Sequence, residues 1–89
     1  MDRRERIEGL LRAAFAPQAL AVVDESHLHR GHAGAAGGGG HFRVTLTSER
    51  FRGVSRLGRH RLVYETLRAE LGPEIHALAL DLRSPDDTL

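Results

Sequence analysis

The sequence predicts a small α+β fold in the order α-β-β-α-α-β, with a three-stranded mixed sheet and its helices packed on one face. Three observations carry that expectation. Two stretches repeat their apolar residues with the helical period, three short stretches are valine-rich or alternate, and glycine or proline punctuates the joins. Eighty-nine residues suit one domain over 1–89 with a small core.

Ile7, Leu10, Leu11, Ala14 and Phe15 fall on one face of an amphipathic helix over 2–15. Asp2 and Glu5 stand in its first turn, where the helix dipole favours acids, and Pro17 stops it. Residues 20–25 read as a strand. The segment 26–40 reads SHLHRGHAGAAGGGG, with six glycines and three histidines and no period, so it is expected as a long flexible hairpin loop. Residues 41–47 alternate, with Phe42, Val44 and Leu46 on one side and Arg43, Thr45 and Thr47 on the other.

A short capped turn over 48–51 ends at Gly53. Ser55 then caps a longer helix to Leu71, with Gly72 in the left-handed position after it and Pro73 next. The segment 48–71 therefore has a helix-turn-helix-like arrangement. Residues 75–82 alternate again and place His76, Leu78, Leu80 and Leu82 on one face of a third strand, reached by a right-handed crossover. In the tail, 83–89, Ser84, Pro85, Asp86 and Asp87 start a final turn.

On a helical wheel, Leu57, His60, Val63, Tyr64, Leu67 and Leu71 share the arc expected to face the sheet. Arg59, Arg61 and Arg68 flank it, and Arg61 can pair with Glu65 one turn on. Five arginines (50, 52, 56, 59 and 61) and no acid lie between residues 50 and 61. Flanking arginines commonly lay their stems on the core edge and keep their heads in water. The other reading is a footprint for nucleic acid or an acidic partner, carried by the same turn and helix.

The chain has no cysteine, which excludes a disulfide framework, a thiolate zinc site and a cysteine nucleophile. No carboxylate pair, activated nucleophile or glycine loop followed by lysine points to an enzyme. No apolar run approaches the ~20 residues of a membrane span, and the charged N-terminal stretch has no signal-peptide pattern, so a soluble cytoplasmic protein without membrane contact is expected. The net charge of +1 argues for no polyanion partner by itself.

Six histidines stand out in so short a chain. His27, His29 and His32 lie in the loop, His41 at its far end, His76 at the start of the last strand, and His60 on the apolar arc as a packing residue. Neutral imidazole is a common metal ligand, and loop histidines facing one fixed on a strand can build part of a metal site. A closed site would need further ligands, which a partner could supply; the alternative for each loop histidine is plain loop polarity.

Ordered blocks of the chain resemble the BolA family. They are Val23-Asp24-Glu25-Ser26-His27, His41-Phe42, Phe51-Arg52-Gly53-Val54-Ser55, Arg59-His60-Arg61-Leu62-Val63-Tyr64 and Ile75-His76-Ala77-Leu78-Ala79. The resemblance spans nearly the whole chain and implies a fold similar to the type II KH topology, in agreement with the element order above. It also implies a non-enzymatic protein that partners a monothiol glutaredoxin and shares a 2Fe–2S cluster with it, in iron–sulfur cluster trafficking or iron and redox regulation. In that arrangement a glutaredoxin cysteine and glutathione supply sulfur, and the chain alone holds no cofactor. The implied ligands are His76 and the loop histidine His32, with His29 the alternate. Imidazole in place of thiolate raises a cluster's potential, as in Rieske centres, and makes ligation sensitive to acid.

The family carries a second role, transcriptional regulation by DNA binding. Here that falls on Arg50, Arg52, Arg56, Arg59 and Arg61. The chain departs from the RNA-binding KH pattern, because Gly53-Val54-Ser55-Arg56 stands where G-x-x-G would be. A weak homodimer is left open.

Overall fold

The computed structural model describes residues 2–25, 40–71 and 75–87; the expected loop, apart from Gly40, and Gly72 lie outside these. The order is α1 (Arg3–Phe15), β1 (Ala19–Asp24), β2 (Gly40–Thr47), a 3-10 turn (Glu49–Phe51), α2 (Arg56–Thr66), α3 (Arg68–Leu71), β3 (Ile75–Arg83) and a second 3-10 turn (Pro85–Asp87).

Helix α1 begins where the Asp2 carboxylate accepts from the Glu5 N–H at 2.8 Å, satisfying a donor the first turn would leave unpaired. It ends at Ala16, which takes a left-handed φ of 43° and donates its N–H to the Arg12 carbonyl, before Pro17. Ile7, Leu11 and Phe15 are buried, whereas Leu10, expected on the same face, is exposed.

The sheet order is β1-β2-β3, with β1 antiparallel and β3 parallel to β2. The register aligns Val22 with Val44 and Leu80, and Leu20 with Leu46 and Leu82. These residues and Phe42 pack with Ile7, Leu11, Phe15, Phe51, Val63 and Leu67 in one core. Ala21, Val23, Arg43, Asp81 and Arg83 are exposed, as the period-two alternation requires of the opposite face.

Ser48 joins four segments. Its fully buried hydroxyl donates to the Phe15 carbonyl at 2.7 Å and accepts from the Arg50 N–H at 3.1 Å, while its own N–H donates to the Arg83 carbonyl. Phe15 and Phe51 meet beside it, with ring centroids 5.1 Å apart. Gly53 follows with φ +71°, a conformation that glycine adopts without the clash a side chain would bring.

Along 55–71 three expectations need correction. The single helix over 55–71 is interrupted at Leu67, which leaves the helical region with φ −93° and ψ 9°. Just before the break, the β-branched Thr66 turns its hydroxyl back onto the Leu62 carbonyl at 2.8 Å, a bond that bends helices.

The buried stripe of α2 is also rotated from the predicted arc. Val63 and Leu67 are fully buried, whereas Leu57 is 60% and Tyr64 43% exposed. The cause is Arg59, which takes a place at the core edge with its guanidinium 5.8 Å from the Phe51 ring centre. His60 is half-buried and has no hydrogen-bond partner among the described residues. Glu65 pairs with Arg68 at 3.3 Å, and Arg61 has no ion pair among the described residues. No helix among these residues is long and apolar enough to cross a membrane.

Candidate functional site

The β1–β2 junction and the start of β3 meet at one end of the sheet. β1 finishes at Asp24, opposite Phe42, and the Glu25 N–H donates to the His41 carbonyl at 2.8 Å. Glu25 is also held by the Arg43 guanidinium across the strands, at 3.0 Å. The segment carrying His27, His29 and His32 therefore leaves β1 and returns to β2 at this end. Those three histidines lie outside the described residues.

The start of β3 borders the same junction. Gly40 is matched to Ile75 but His41 to Ala77, so the register slips by one and His76 is the unmatched residue of β3. An extra residue of this kind bends the strand locally and is a recurrent feature next to binding sites. The backbone of His76 is thus one strand away from His41, beside the return of the loop. Alternation alone gave no sign of the slip, because the register between two strands is not written in either one. The described residues hold no group of three or more histidine, aspartate or glutamate side chains suited to a metal; the loop histidines and the His76 side chain are not among them.

The five expected DNA-contacting arginines divide into two sets. Arg59 donates to the Val54 carbonyl at 2.8 Å, to the Leu82 carbonyl at 3.2 Å and to the Asp87 carboxylate. Its side chain is only 14% exposed. Arg52 is gripped by Glu49 within its own turn and by Asp86 of the final turn. Arg50, Arg56 and Arg61 are exposed and have no side-chain hydrogen bond or ion pair among the described residues.

The final turn acts as a clasp. Asp87 accepts from both the Ser84 N–H and the Ser84 hydroxyl at 3.0 Å, the carboxylate half of a capping box, while its own N–H donates to the Ser84 carbonyl and its carboxylate receives Arg59. Arg59 and these bonds hold its carboxyl down at about 2. Glu49 is likewise held below the usual carboxylate range by Arg52. The pattern Ser84-x-x-Asp87 was a readable signal for the cap, but not for the arginines that close it.

The model of the BolA family, described as BolA-like protein, matches residues 11–87. The chain is 54% identical over 77 residues to the "DNA-binding transcriptional regulator BolA" of Escherichia coli, covering 86% of this chain and 70% of that protein. It is 46% identical to "BolA-like protein 1" of Mus musculus, covering 89% of this chain and 56% of the relative. Among solved structures it is similar to BolA1 from Arabidopsis thaliana, with a TM-score of 0.85 at 36% identity over 100% of this chain and 98% of that one. The BolA domain of SufE1 from the same plant superposes with a TM-score of 0.87 at 35% identity, over 99% of this chain and 98% of that one.

Proposed function

The chain belongs to the BolA family, and from that premise we propose that it is a non-enzymatic partner of a monothiol glutaredoxin that completes a shared 2Fe–2S site. The observation that supports this reading is the slipped register, which sets the His76 backbone beside His41 where the histidine loop returns. The donor set fits half a site: the chain has six imidazoles and no thiol, so sulfur must come from the partner. His76 and His32, with His29 the alternate, would hold the group, and the cluster would supply one-electron chemistry and an iron cargo. What this chain contributes is ligation by neutral nitrogen, which acid displaces. Anaerobic reconstitution with a monothiol glutaredoxin, glutathione, iron and sulfide is expected to give a coloured heterodimer. Its visible circular dichroism should differ from that of the glutaredoxin homodimer. An unchanged homodimer spectrum, with the chain eluting alone, contradicts the proposal.

A second reading, DNA binding, is favoured by the exposure of Arg50, Arg56 and Arg61, which have no side-chain hydrogen bond or ion pair among the described residues, and by the bacterial relatives named as DNA-binding transcriptional regulators. Three phosphate contacts give a slope of log affinity against log salt of about −2.7 on duplex DNA. Arg50→Ala, Arg56→Ala and Arg61→Ala should each flatten that slope by about 0.9. A slope that none of the three substitutions changes removes this reading.

A further inference from the structure

We propose that the free edge of β3 beside α2 is a strand-addition site for an extended acidic segment of a partner protein. β3 lies at one edge of the sheet. Its carbonyls alternate in direction: that of Arg83 accepts from Ser48 on the β2 side, and that of Leu82 accepts from Arg59 on the outer side. By that alternation the N–H and C=O of Leu80 face outward, and neither has a partner among the described residues. An unpaired edge is a template for another strand unless it is covered. Here Arg59 covers one carbonyl, and the rest opens into a crevice of about 300 Å³ lined by Arg56, His60, Leu80, Asp81 and Leu82.

Charge decides the occupant. Asp81 is engaged by Arg83 at 3.0 and 3.1 Å, and Asp87 by Arg59, whereas Arg56 and His60 carry no hydrogen bond or ion pair among the described residues. Arg56 also bears on Asp81 from beyond ion-pair distance, so three arginines (56, 59 and 83) face two aspartates (81 and 87) and the balance is one positive charge. A second copy pairing edge to edge about a two-fold axis would bring Arg56 toward its own image, which like charges oppose. An added strand turns alternate side chains toward α2, so acids at alternate positions meet Arg56 and His60. The exposed Leu57 and Tyr64 on the same helix supply apolar contact beyond them. This site lies toward the end of β3 remote from His76, and it stands or falls independently of the cluster reading.

The test titrates the isotope-labelled protein with a peptide alternating glutamate and valine, with its lysine-for-glutamate counterpart, and with oligothymidylate. The glutamate peptide should shift the Leu80 and Leu82 amides and slow exchange at Leu80, with the lysine peptide about fivefold weaker. Arg56→Glu, at an exposed position, should invert that preference while leaving amides elsewhere unmoved. An unmoved Leu80 amide or equal response to both peptides overturns the proposal. Response to oligothymidylate alone assigns the crevice to nucleic acid and overturns it too. Leu80 protection that rises with protein concentration and no peptide assigns the edge to a second copy, with the same consequence.

Discussion

The Arg59 guanidinium reaches the Val54 and Leu82 carbonyls and Asp87 at once, so it fastens the turn before α2, the end of β3 and the final turn together. A lysine ammonium cannot present donors in that fork. Arg59→Lys is expected to cost about 1–2 kcal/mol in urea unfolding, whereas Arg61→Lys, with no such partners, should stay within about 0.5 kcal/mol. Asp87 adds a pH signature. Its carboxyl is depressed from 3.8 to about 2, so the clasp is complete above 3.8 and is lost as pH falls through about 2. Ser84 and Asp87 amide shifts should move over that interval, and Asp87→Asn should abolish the movement. Neither residue announced this role in the sequence: Arg59 reads as one more surface cation until the tail folds back on it.

Helix α2 and its Ser55 cap were legible in the sequence, but its buried face was not. Hydropathy ranks Leu57 and Tyr64 as core, yet the buried residues are Val63 and Leu67, because Arg59 takes the neighbouring position at the core edge. Leu67→Ala is expected to cost about 2–5 kcal/mol, and Leu57→Ala less than about 0.5 kcal/mol. Equal costs in chemical unfolding would restore the predicted arc. The strands were easier to read. Phe42, Val44 and Leu46 alternate with polar neighbours, and a period of two leaves no freedom about which residues face in.

For the whole molecule, the α+β order was legible because α1, the three strands and α2 each carried their own period and punctuation, whereas the break that separates α3 from α2 did not show. Asp2, Pro17, Gly53 and Ser55 all stand at the ends they mark. The candidate site was legible as a list of histidines but not as a place. Its defining feature, the unmatched His76 opposite the step from Gly40 to His41, belongs to the pairing of two strands joined through α2 and α3. The resemblance named His76, and the register supplies a physical reason for a distinct backbone position there. The most direct measurement is the visible circular dichroism of the cluster-bearing heterodimer with a monothiol glutaredoxin, for the native chain, His32→Ala, His29→Ala and His76→Ala. The account predicts that His76→Ala abolishes the heterodimer spectrum and that one of the two loop substitutions alters it. A His76→Ala heterodimer with the native spectrum and native affinity would contradict it.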